Sequence, residues 1–204
     1  MVKNRIKNKS WILIGSIFIF ISLIMLSFKF ITDYHQTSKI KNSIDYFWQN
    51  NFPNEEPSFK EETIIPLAIY DYIAVLEIPA LNLKRGLFAI NDQRNNLNQN
   101  LEILTNSDMP NIESGLMIIA GHSGRSSVSF FKNLDSLKEK DKIYLYYQNI
   151  RYIYEVSTLL RQDKTGNIFL SRSNNAELIL TTCDPKSKDK QFIVVAKLFA
   201  KNPY

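Results

Sequence analysis

Beyond residue 70 the chain alternates short apolar runs with polar breaks, a rhythm that predicts strands. Residues 72–78 are rich in β-branched and aromatic side chains and stop at Pro79. Residues 116–120, Leu-Met-Ile-Ile-Ala, read as a short buried strand. Residues 142–147 and 151–156 alternate large apolar with polar positions around Gln148-Asn149-Ile150, which predicts a hairpin. Residues 178–182 and 192–198 read as two more buried strands. Two short helices are expected between them. One is 96–104, where Leu97, Leu101 and Leu104 share a face, and the other is 130–137. Many short strands with two small helices predict a barrel or a sandwich of mainly β character.

The N-terminal part follows a different rule. Residues 11–28 carry no charge, and Phe30 and Ile31 extend the apolar run past Lys29. That reaches the ~20 residues a helix needs to cross a bilayer. A cleaved secretory signal is the main rival reading, but no small-x-small site follows the run. Lys3, Arg5, Lys7 and Lys9 all precede it, so the N-terminus is expected in the cytoplasm and everything from about residue 32 outside the cell. The expected order is a basic tail (1–10), a transmembrane anchor (11–31), a tether (32–63) and a domain of about 140 residues (64–204). Within the tether, 33–50 could form a short helix with Ile40, Ile44 and Phe47 or Trp48 on one face. Residues 51–62 carry two prolines and several acids and read as extended.

Charge adds little. The formal net charge is +5, and removing the four cations ahead of the anchor leaves +1. No basic stripe follows, so nucleic-acid binding is not expected.

Candidate chemistry is sparse, which makes it readable. Cys183 is the one cysteine, at the end of Leu178-Ile179-Leu180-Thr181-Thr182-Cys183 and just before Asp184-Pro185. A lone thiol is most often a packed core residue. In a chain held outside a membrane it cannot form an internal disulfide, which leaves a packed, an intermolecular or a nucleophilic role. Of the two histidines, His35 lies just past the anchor and reads as an interfacial residue. His122 sits where a strand runs into Gly121-His122-Ser123-Gly124, among small neighbours. A cysteine and a histidine that both end strands can form a nucleophile–base pair: thiolate attacks a carbonyl, and imidazole manages the protons. Candidates to steady the oxyanion are backbone N–H groups near Cys183, the Thr182 hydroxyl, Gln191 and Lys190. One cysteine and two distant histidines make no zinc site, and no glycine-rich phosphate loop is present, so neither metal nor cofactor is expected.

Taken in order, the motifs resemble those of the sortases, anchored cysteine transpeptidases of Gram-positive surfaces. Val75-Leu76-Glu77-Ile78-Pro79 resembles the first-strand signature, and Ala120-Gly121-His122-Ser123-Gly124 the histidine turn. Phe131-Lys132-Asn133-Leu134 resembles the segment that follows the turn. Ile179-Leu180-Thr181-Thr182-Cys183 resembles the T-L-x-T-C strand, with isoleucine for the first threonine. The resemblance implies a closed eight-stranded β-barrel with short helices. It implies that Cys183 cleaves a sorting motif of surface proteins, of the Leu-Pro-x-Thr-Gly or Asn-Pro-x-Thr-x kind, through a thioester. An amine of a cell-wall precursor or of another protein then resolves the thioester, with His122 as acid and base. Thr182, Gly121 and Ser123 are the expected substrate contacts. One departure stands out: sortases normally carry an arginine just ahead of the last strand, and here Gln191 takes that position. Gln191 is the expected oxyanion donor; Lys190, Arg125, Arg161 and Arg172 are alternatives. The rival reading is a non-catalytic or impaired assembly or adhesion module on the same barrel.

Overall fold

In a computed structural model of the chain, residues 14–28, 31, 41–48, 71–168 and 174–203 are described. The basic tail, His35, the tether over 51–62, the expected domain start at residue 64 and Arg172 lie outside them. The chain divides into two compact units, Met1–Lys41 and Asn42–Tyr204.

In the first unit, residues 14–28 form helix α1, with Phe18, Phe20, Met25 and Leu26 exposed. Its serines bond their own turns: Ser22 Oγ donates to Phe18 O and Ser27 Oγ to Leu23 O. No helix among the described residues is long and apolar enough to cross a membrane. Residues 11–13 and 29–30 of the expected span lie outside the described set.

The second unit is mainly β. Residues 41–48 form helix α2, whose Ile44 and Phe47 are buried. Trp48 packs edge-on against Tyr146 at 4.6 Å between ring centroids, and the Lys84 ammonium lies over the Trp48 ring at 4.7 Å. Eight strands follow: β1 (Ala74–Ile78), β2 (Leu83–Leu87), β3 (Glu102–Ile103), β4 (Leu116–Ala120), β5 (Lys142–Tyr147), β6 (Ile150–Asp163), β7 (Glu177–Cys183) and β8 (Lys190–Pro203). They form one sheet in the order β2-β1-β5-β6-β8-β7-β4-β3. Inward-facing Leu76, Leu145, Tyr152, Leu178, Leu180 and Val194 build a single core.

The β5–β6 hairpin forms as the alternation predicted. Tyr147 pairs with Ile150, so the loop is Gln148-Asn149, both with positive φ, a two-residue turn whose twist suits the strands it joins. β6 and β8 are each 14 residues long, and two register shifts in their ladder let them coil around the core.

Two expectations need correction. Residues 96–104 are not a helix. Asparagine side chains capture the backbone there instead. Asn95 accepts from Ile103 N–H and donates to Ile103 O, and Asn96 Oδ1 accepts from Asn98 N–H. The segment becomes turns leading into β3. Residues 130–137 hold only a one-turn 3₁₀ helix, Leu134–Ser136. Buried Phe131, Leu134 and Leu137 recur every third residue, which suits that tighter winding.

The barrel is also nearly closed rather than closed, because β2 and β3 remain the two ends of the sheet. Side chains seal part of that seam. Buried Asn100, next to β3, donates to Gly86 O of β2 at 2.8 Å and accepts Arg85 Nε at 2.6 Å. Removing it takes the side-chain donor from buried Gly86 O and one acceptor from Arg85 Nε, and a buried group left unsatisfied costs ~1–3 kcal/mol. Asn100→Ala is therefore expected to lower the unfolding free energy by about 2–4 kcal/mol in urea denaturation. Exposed Asn98→Ala is expected to change it by less than about 0.5 kcal/mol.

Candidate active site

The one parallel pair among the described strands, β4 with β7, brings the candidate residues together. Its register runs from Leu116↔Glu177 to Ala120↔Thr181. Parallel neighbours keep a constant offset and point the same way, and strands lie ~4.8 Å apart. Two residues beyond the last pair, His122 leaves β4 and Cys183 ends β7. The two candidates thus stand on one rim of the barrel, although they are far apart in sequence.

Two contacts fix that rim. Gly121 N–H donates to Thr181 O at 3.1 Å. The Thr182 hydroxyl, buried, donates to Gly121 O at 2.6 Å across 61 positions of sequence. The histidine turn is held from below by Phe131, whose N–H donates to His122 O. A Cβ on Gly121 would meet Phe131 Cδ2 at 2.6 Å and Leu101 Cδ2 at 2.7 Å, so only glycine lets the backbone sit this low. His122 and Ser123 are half-buried, and Cys183 is exposed. The sulfur is therefore open to a substrate and not sealed in the core.

β8 brings the third predicted residue. Gln191 pairs directly with Cys183, and Gln162 of β6 pairs with Gln191. The three form one row on the outer face. Gln191 does not reach for the sulfur; its Nε2 donates to Asn167 O at 2.9 Å and pins the start of the β6–β7 segment. The Thr182 hydroxyl is likewise committed to Gly121.

The cation that does reach the thiol is Lys164, just past β6. Its Nζ donates to Cys183 Sγ at 3.3 Å. Sequence reasoning missed it, since an isolated lysine in a polar stretch carries no signal until β6 and β8 pair. The alternatives named above lie elsewhere. Arg161 faces inward over Phe192 and donates to buried Asp184 at 3.0 Å. Arg125 is exposed in the histidine turn. Lys190 is exposed and takes the opposite strand parity to Gln191. Asp184 Oδ1 also accepts Lys186 N–H, so the chain after Cys183 is locked by its own neighbour. No group of three or more metal-ligating side chains occurs among the described residues.

An exposed thiol and a histidine thus share one rim of a nearly closed eight-stranded β-barrel. Comparison with known proteins then places the chain. The sortase domain matches residues 76–199, and the chain belongs to the sortase family, a family of transpeptidases. Its fold is similar to sortase A of Corynebacterium diphtheriae (lid mutant), with TM-score 0.57 and 25% identity, covering 78% of this chain and 80% of that one. It is also similar to sortase A of Listeria monocytogenes, with TM-score 0.55 and 23% identity, covering 65% and 90%. A Clostridium perfringens sortase D5 transpeptidase gives TM-score 0.57 and 22% identity, covering 81% and 98%. Among curated proteins none matches.

The Thr182 clip yields a direct test. Thr182→Val keeps the shape but leaves Gly121 O without its buried donor. The variant is expected to lose about 1–3 kcal/mol of stability in urea unfolding.

Proposed function

We propose that this protein is a membrane-tethered cysteine transpeptidase acting on the C-terminal sorting motif of surface proteins. The observation that supports the reading is the β4–β7 register, which brings the strand ends that carry His122 and the exposed Cys183 to one rim. The thiolate attacks the scissile carbonyl and His122 protonates the departing amine, leaving an acyl group on sulfur. An incoming amine, from a cell-wall precursor or from another protein, gives its proton to His122 and takes the acyl group. The chemistry uses no cofactor.

The surroundings suit an extended peptide. Below Cys183 the outer face packs buried Ile179, Ile193 and Val195 beneath half-buried Leu116, Ile118, Leu160 and Ile168, whose open parts offer apolar surface. That apolar strip leads along β4 and β7 to the sulfur. Gly121 and Ser123 border it from the histidine side, and Thr182 holds the two strands in register. Gln191 serves by fixing Asn167 and with it the near wall. Helix α1 supplies the tether: its outward Ile and Phe side chains and self-bonded serines suit a lipid environment. The basic residues ahead of it would keep the N-terminus in the cytoplasm and the barrel outside.

The full chain in detergent, given a fluorogenic Leu-Pro-x-Thr-Gly or Asn-Pro-x-Thr-x peptide and an amine, should cleave the peptide and yield the amine adduct. Cys183→Ala should abolish both products, and His122→Ala should lower kcat/KM by roughly 10²–10⁴-fold. Cleavage that survives Cys183→Ala would overturn the reading. A Cys183 that alkylates no faster than a free thiol, with no peptide turned over, would favour the non-catalytic assembly module. The tether is tested separately. The full chain should stay with membranes through alkaline carbonate washing, while a chain lacking residues 1–31 should be released.

A further inference from the structure

We propose that Lys164 is a catalytic residue of this site, supplying from the end of β6 the positive charge that Gln191 does not provide from β8. The proposal rests on the transpeptidase reading for its substrate, while its geometry stands apart from it.

Three observations carry it. Lys164 Nζ donates to Cys183 Sγ at 3.3 Å, so the ammonium touches the reacting atom. Gln191, the neighbour of Cys183 in the ladder, is neutral and has its amide bound to Asn167 O. The strand geometry places Lys164 for that contact. Gln162 lies in the same row as Gln191 and Cys183, and Lys164, two residues further on, leaves the same face. Its root is tied down, since Lys164 N–H donates to Asp189 O at 2.8 Å. Among the described residues no carboxylate lies within ion-pair reach of its ammonium, whereas Arg161 is bound to Asp184 and Lys186 approaches Asp135.

An ammonium in this place acts twice. In the free enzyme it attracts a thiolate more strongly than a thiol, and the cysteine proton passes to His122 as the sulfur is readied for attack. In the attack, the sulfur lone pair forms the C–S bond and the carbonyl π pair moves onto oxygen. The Lys164 N–H then turns from sulfur, which has lost its charge, to that oxygen, which has gained it. Collapse restores the C=O and breaks the C–N bond, and the leaving amine carries the His122 proton. Lys164 keeps its own protons throughout. The charge has moved between strands: it comes from the β6 end instead of the β8 start, on the same face of the sheet.

Charge at sulfur can be read without any peptide. A cation beside Cys183 speeds alkylation by anionic iodoacetate relative to neutral iodoacetamide. In the full chain in detergent, Lys164→Met should lower that ratio several-fold. It should also lower kcat for peptide transfer by roughly 10²-fold with KM little changed. Lys164→Arg should keep most of both, and Gln191→Arg in the Lys164→Met background should restore part of both. Lys164→Met with a wild-type urea midpoint and an unchanged ratio or an unchanged kcat would overturn the proposal. A wild-type chain that turns over no sorting peptide, yet shows a Lys164-dependent ratio, would remove the transpeptidase reading and leave the Lys164–Cys183 pairing standing.

Discussion

The placement of Cys183 and of the histidine turn depends on the parallel hydrogen-bonded ladder between β4 and β7. Parallel strands hold a constant offset, so one register decides every neighbour along both. Here it lays Ala120 beside Thr181, and the next residues out are the histidine turn and the cysteine. A slip of one residue would turn Cys183 inward, because successive side chains alternate faces. The buried alternation of Leu178, Leu180 and Thr182 inward against Ile179 outward resists that slip. The Thr182–Gly121 bond adds a directional lock where the ladder ends.

The rest of the barrel supports this pair. β8 lies against β7 and β6 against β8, so the row of Cys183, Gln191 and Gln162 comes from three separate stretches of chain. The core that holds them is mainly apolar, but its seam is polar. Asn100 and Arg85 join β2 to the segment before β3 where no ladder runs, and Asn95 holds Ile103 of β3. Buried polar groups survive there because each has a partner. Polar side chains thus do two unlike jobs in this fold, one at the seam and one at the rim.

The site shows how charge and position can separate. The ladder position opposite Cys183 holds an uncharged amide that anchors a loop, and the ammonium at the sulfur arrives from one strand further away. Motif comparison inspects positions, and at position 191 it finds only a missing charge. The space around the sulfur is nonetheless cationic. What matters physically is the field at the reacting atoms, and several strand ends can deliver it.

Much was legible from the chain alone. Local alternation and β-branched runs marked β1 and β4 to β8, because a strand with one buried face writes its period into its own residues. β2 escaped notice: Leu83-Lys84-Arg85-Gly86-Leu87 places a charge and a glycine at buried positions, which Asn100 at the seam and the Tyr72 ring over Gly86 account for. β3 is two residues long, too short to carry a period. The leucines of 96–104 have helical spacing, but the asparagines among them bind backbone and prevent the helix. His122 and Cys183 stood out because the chain has so few candidates of either kind. Their strand-end positions and the order of the surrounding motifs were local facts. That they share a rim, that Gln191 turns to Asn167, and that Lys164 meets the sulfur are long-range facts. They depend on which strands pair and in what register, and a pairing is a property of two segments that neither one carries by itself.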